Sequence, residues 1–134
     1  MKKPTEKFRI PRIAALIHSN ALASSVTLPM ELSMAAGQAA GQVFDANNHV
    51  SLLSPEGGKI TTSGGLTVET KAIDSVGTLD LLVISAIWRD PRRVLTKHPS
   101  LVPFIRRIAE SGAAIAAVGT GSFLLAETGL PRRK

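Results

Sequence analysis

The chain has 134 residues, a formal net charge of +6, 44% hydrophobic residues, 4% aromatic residues and no cysteine. That length fits one domain able to bury a core without a disulfide or metal staple, and the lack of cysteine excludes thiol catalysis and thiolate metal sites. With so few aromatics the core must be built from Ala, Leu, Ile and Val, as in α/β proteins.

The charge is unevenly placed. Residues 1–12 carry five bases against one acid, residues 132–134 add three bases, and the body between holds eight bases and nine acids. The excess therefore reads as solvated termini, with a phosphate-binding arm as the alternative, and no interleaved aromatics supply a stacking platform for nucleic acid. Lys2-Lys3 and Ala21-Leu22-Ala23 imitate the ends of a secretory signal. The apolar segment between them, Ile13 to Ile17, is too short, and Arg9, Pro11, Arg12 and His18 interrupt its flanks. No run approaches the roughly 20 apolar residues of a membrane span. These observations predict a cytoplasmic protein with no membrane association.

In chain order, residues 1–11 predict a flexible basic arm and Arg12 to His18 a first strand. Ser24, Ser25 or Thr27 can cap a helix with Pro29 in its first turn, running to about Ala40. Val26, Met30 and Met34 fall on one line of it and Leu28, Leu32 and Ala36 on an adjacent one, a broad apolar face suited to packing on a sheet. Val50 to Ser54 predicts a second strand, and residues 59–70 a hairpin bent at Gly64-Gly65. Leu79 to Ser85 is apolar enough for a central strand. Ser100 can cap a helix to Ser111, with Leu101, Ile105 and Ile108 inward, Arg106, Arg107 and Glu110 outward, and Gly112 ending it.

The last segment, AAIAAVGTGSFLLAETGL over residues 113–130, carries the most information. The run Ala113 to Val118 reads as a buried parallel strand that breaks at Gly119-Thr120-Gly121 and enters a helix at once, with Gly129 as its left-handed cap and Pro131 beyond. Such an elbow holds a nucleophile in α/β hydrolytic folds and a phosphate in nucleotide-binding folds. Gly119, at the apex, has no side chain to attack anything. As a dinucleotide fingerprint the turn fails, because Leu124 stands at the third glycine position and no acidic ribose partner follows. As a serine elbow it fails too, because Ser122 lies inside the helix. What survives is a helix N-terminus opened by the amides of Thr120 and Gly121, which suits a carboxylate or phosphate, against the bland reading of a tight turn with no ligand. Alternating strands and helices predict a three-layer α/β sandwich with a mainly parallel, flavodoxin-like sheet.

The elbow run AVGTGSFLLAETGL resembles the S-V-C-T-G-A-F-x-L-A-x-A-G-L segment of ThiJ/PfpI-like (class I glutamine amidotransferase-like) domains. More narrowly, it is similar to those in the N-terminal half of GlxA-like, AraC-type transcriptional regulators. The upstream segments agree in order: IAALIHSNALASSVTLPMELSMAAGQ with the first strand and its Pro-containing helix, VSLLSPEGGKITTSGGLTVET with the second strand and its S-x-G-x-x-V segment, and LDLLVISAIWRDPRRVL with the strand before the oxyanion loop. The resemblance spans residues 12–131 and implies a ThiJ/PfpI-like domain over residues 12–134, incomplete at its C-terminus and without its DNA-binding domain.

The departures decide what the resemblance implies. The enzymes of that superfamily place a cysteine at the apex, where this chain has Gly119. Their acidic residue four positions before the helix proline corresponds to Ser25, and their oxyanion-loop Gly-Gly to Ile87-Trp88. Nucleophile, acid and oxyanion site are thus absent, replaced and altered, so no catalytic residue is expected. The implied role is a non-catalytic ligand-sensing or dimerising domain binding a small-molecule effector at a pseudo-active cleft, with Gly119, Thr120, Gly121, Ser25, Ile87 and Trp88 as candidate contacts. The implied partners are a second copy of the chain and, only through the segment absent here, DNA. A remnant amidase- or hydratase-like enzyme and a purely structural dimerisation domain are the alternatives. Trp88 suits core packing or a subunit contact as well as an effector pocket. Arg89, Arg92 and Arg93 fit a solvated helix start or the neutralisation of an anionic effector. His18, His49 and His98 stand singly, so neither a metal site nor a cofactor is expected.

Overall fold

The computed structural model describes residues 11–39, 41 and 50–130. Nearly all of the predicted arm, the terminal basic triplet and His49 lie outside the described residues. Ten elements follow in order: β1 (Ile13–Leu16), α1 (Ser24–Ala39), β2 (Val50–Ser54), β3 (Gly58–Thr61), β4 (Thr67–Ala72), β5 (Leu81–Ile84), α2 (Pro91–Lys97), α3 (Leu101–Glu110), β6 (Ala114–Ala117) and α4 (Ser122–Glu127). The sheet order is β3-β4-β2-β1-β5-β6, and only the β3–β4 hairpin is antiparallel. The alternation of strands and helices thus gives the mainly parallel α/β fold that the sequence predicts.

The strands most apolar in sequence occupy the middle. Residues Ala14 to Leu16 and Leu82 to Ile84 are buried, and β1 pairs in register with β2 on one side and β5 on the other. Alternation along these strands feeds two cores. Ala14, Leu16, Leu53, Leu82 and Ile84 meet Val94 of α2, Leu101, Phe104, Ile105 and Ile108 of α3, and Leu124 of α4. On the opposite face Ala15, Ile17 and Val83 meet Val26 of α1. The inward set predicted for α3 is buried as expected, and Gly112 ends that helix at a φ of +103°. Ser100 makes no side-chain capping bond, so α3 is held by its buried stripe and by Arg106, which donates to the Thr128 carbonyl beyond α4 through Nε (3.1 Å) and Nη2 (2.8 Å).

Two expectations change. In α1 the line through Leu28 and Leu32 does not pack on the sheet: these leucines are 56% and 61% exposed, and only Ser25 and Val26 of the helix are buried. The helix touches the sheet along one narrow line because its N-terminal turn, not its length, is what the loops of β1 and β5 grip. Second, the elbow strand β6 is an edge strand among the described residues, with Ala114 and Ala116 exposed.

These burials predict a sharp contrast. Leu82→Ala empties a fully buried position and should cost about 2–5 kcal/mol. In the monomeric chain Leu32→Ala should change stability by no more than about 0.5 kcal/mol, as for an ordinary surface site. Urea denaturation of the two variants measures both.

Candidate functional site

The carboxyl ends of β1, β5 and β6 converge on one cluster of loops, the position at which open α/β sheets bind ligands. The elbow begins where Val118, whose N–H donates to the Ile84 carbonyl (3.0 Å), gives way to a single 3₁₀ turn over Gly119–Gly121. Gly119 adopts a φ of +51°, the left-handed conformation that glycine reaches without penalty. A Cβ placed there would meet only the Ala86 Cβ, at 3.9 Å. The space a nucleophile's side chain would fill is therefore open.

Gly121 has the opposite environment. It is buried, and a Cβ there would collide with the Ser85 carbonyl oxygen and lie 2.9 Å from the Ile84 carbonyl oxygen. This glycine lets α4 approach the backbone of β5 closely. Its N–H donates to the Val118 carbonyl (2.8 Å), and the Ser122 hydroxyl donates to the Gly119 carbonyl (2.8 Å). The Gly121 amide that the sequence offered to an anion is thus committed within the turn.

The remaining candidates are drawn together by two hydroxyls. Ser25 is buried; its Oγ accepts from the Ala86 N–H (2.8 Å) and donates to the Leu22 carbonyl (2.6 Å). Thr120 Oγ1 accepts from the Ile87 N–H (2.7 Å) and donates to the Ile87 carbonyl (2.8 Å). Ile87, 2% exposed, also pairs with Ala21 in an isolated antiparallel bridge. Trp88 donates its N–H to the Asn20 carbonyl (2.7 Å) and leaves its ring half-exposed. All six candidates therefore sit in one place. Ser25, Ile87 and Gly121 serve the packing there, while Gly119, Thr120 and Trp88 reach the surface.

The arginines after Trp88 lie at the edge of this cluster. Arg89 has a φ of +72°, strained for a residue with a Cβ. Asp90 caps α2 by accepting from the Arg92 N–H (3.0 Å), and that bond, ahead of the weaker pull of the Arg92 and Arg93 side chains, holds its carboxyl below the ordinary range. Asp90 and Arg92 also pair at 3.4 Å, with both side chains more than half exposed.

In the sequence the histidines stand singly. In the fold, His18 follows β1, His98 follows α2, and their ring centroids lie 6.4 Å apart. No run or spacing in the sequence joins positions 80 residues apart; only the β1–β5 pairing and the return of α2 bring them together. Among the described residues no group of three or more metal-ligating side chains forms.

No protein-family model matches this chain. Over 80 residues it is 35% identical to the HTH-type transcriptional regulator CdhR of Pseudomonas aeruginosa, a match covering 59% of this chain and 23% of that protein. A solved protein of Vibrio parahaemolyticus, assigned as a transcriptional regulator, superposes with a TM-score of 0.76 at 27% identity over 91% of this chain and 63% of its own. An AraC family transcriptional regulator of Pseudomonas putida has a TM-score of 0.69 at 22% identity, over 89% of this chain and 71% of its own. DJ-1beta of Drosophila melanogaster has a TM-score of 0.70 at 14% identity, over 91% and 62%. The fold is that of the DJ-1/ThiJ/PfpI superfamily. Within that superfamily fold, the two proteins matched at 35% and 27% identity carry regulator assignments, and the chain spans less than two thirds of either.

Gly121 decides whether the elbow packs against β5. Gly121→Ala would drive a methyl into two backbone carbonyls of the β5 end and should cost about 3 kcal/mol or more, whereas Gly119→Ala, with room for its methyl, should cost only the left-handed backbone term of roughly 1–2 kcal/mol. Denaturant titration of the two variants should therefore not rank Gly119→Ala as the more damaging.

Proposed function

We propose that the chain is a non-catalytic sensing and dimerising domain of an AraC-type transcriptional regulator, with a small-molecule effector seated over Gly119. The observation that carries this reading is the elbow itself: left-handed geometry kept at Gly119, open space above it, and no reactive atom. Regulators among the proteins it resembles support the same role. Thr120 and the ring of Trp88 would border the effector, while Ser25, Ile87 and Gly121 hold the loops that shape the cleft. In such a regulator, DNA reading would fall to a helix-turn-helix segment outside these residues, and effector binding would act by shifting dimer geometry.

A dimer would use α1. Leu28 and Leu32 of this helix and Leu66 of the hairpin turn are exposed, and Met30, Leu66 and Val68 border an apolar cavity of about 210 Å³ between α1 and the hairpin. Apolar surface of this kind is what a self-association interface buries.

A metabolite library screened by thermal shift tests the effector. A true ligand at 100 times its dissociation constant should stabilise the chain by about 2.7 kcal/mol, and Trp88→Ala should reduce that shift without loss of fold. Silence across the library would favour a purely structural domain, and turnover of amides or glyoxals would restore the enzyme reading. Sedimentation tests the dimer: Leu28→Lys with Leu32→Lys should give a monomer, and an unchanged mass would remove α1 from the interface.

A further inference from the structure

His18 and His98 are not used by the cleft, and the core does not account for them. His18 is 1% exposed, and Nε2 of each ring is buried without a hydrogen-bond partner. The Asn20 N–H donates to His18 Nδ1 (3.2 Å), so the neutral ring carries its proton on Nε2. A metal ion at Nε2 would require the opposite tautomer, with the proton on Nδ1, and would conflict with that bond. The pair is suited instead to being neutral and close.

The surrounding charges all bear on this. Lys97 precedes His98 on α2, and its Nζ lies 3.5 Å from the Ser19 hydroxyl beside His18. Burial lowers His18 from 6.5 to about 4, with the neighbouring His98 and Lys97 adding to the effect. Burial, then Lys97, lowers His98 as well, and Glu56, in the turn between β2 and β3, opposes them.

We propose that the His18–His98 contact is an acid-released latch that holds residues 18–22 against α2 and, through them, sets the cleft loop at residues 85–88. The linkage is short. The Asn20 carbonyl accepts from Trp88, Leu22 donates to the Ala86 carbonyl (3.0 Å), and Ala21 pairs with Ile87. Protonation would place an imidazolium on the buried His18, beside a second on the half-buried His98 and the exposed Lys97 ammonium, and separating the rings returns His18 to water. Rings released to water bind protons near pH 6.5, whereas in the closed pair both are held lower, His18 at about 4. Closure is therefore fully favoured above pH 6.5 and loses its advantage as pH falls toward 4. The inference concerns the loops alone and stands whether or not the cleft takes an effector.

Trp88, the only tryptophan of the chain, reports on the latch. In the full chain without ligand, its emission should change as pH falls from 6.5 toward 4 while far-UV dichroism is retained. His98→Gln should move that change to lower pH and roughly halve its proton dependence, since one titrating group replaces two. NMR titration of the wild-type imidazoles provides a check that needs no variant, with His18 expected to titrate far below 6.5. Constant emission through this window, emission lost together with dichroism in both proteins, or ordinary titration of His18 would each overturn the proposal. So would stabilisation by Zn²⁺ at neutral pH that His98→Gln abolishes, which would make the pair a metal site.

Discussion

The close approach of α4 to β5 at Gly121 is the constraint on which the carboxyl edge of the sheet depends. No side chain separates this residue from the Ile84 and Ser85 carbonyls, so α4 can sit directly on the strand end. That approach places Thr120 within reach of both polar groups of the Ile87 backbone. With Ile87 fixed, the chain from Ala86 to Trp88 can pair with residues 20–22, and those residues lead into α1. Three loops from distant parts of the chain thus share one set of short bonds. Their order follows from a missing Cβ.

How much of this could be read from the sequence depended on the range of the interaction. Ala113 to Val118 announced a strand, Gly119-Thr120-Gly121 its break, Gly129 a left-handed cap, and Leu101, Ile105 and Ile108 a buried stripe, because each signal is local periodicity or a local backbone demand. The edge position of β6 was not legible, since apolar content reports burial preference and not what lies alongside. The exposure of Leu28 and Leu32 was missed for the same reason: a helical apolar face shows what could be buried, and the sheet beneath α1 meets only the line through Val26. In the site, resemblance aligned Ser25 with an acid and Ile87-Trp88 with an oxyanion loop. That the two hydroxyls would seal those loops needed coordinates, because the partners lie 61 and 33 residues apart.

The two faces of the sheet are unequally covered. Among the described residues, three helices close one side with large aliphatic residues and Phe104, whereas α1 meets the other, where Ile13, Met30, Leu52, Leu81 and Val118 are only partly buried. Hydrophobic stabilisation scales with apolar area removed from water, at roughly 25 cal/mol per Å². Partly buried apolar side chains remain on both faces, among them Val76, Leu95 and Ile115 on the first and Met30, Leu52 and Val68 on the second, so further contact on either would add stabilisation.

The fate of the catalytic geometry follows from the hydroxyls. In an acyl-transfer site, backbone N–H groups near the nucleophile must be free to meet a developing oxyanion. Here the Ala86 and Ile87 amides already donate to Ser25 and Thr120 at 2.8 and 2.7 Å. An incoming anion would have to displace a satisfied bond, and exchanging one hydrogen bond for another contributes little net free energy. The cleft is consequently poor at rewarding negative charge through these two amides. What it still offers is the open volume over Gly119 and the exposed face of Trp88, both of which reward shape and apolar contact. Gly119 and Ser25 thus bear on the loops in complementary ways: one offers no side chain at the apex of the turn, and the other occupies the Ala86 donor.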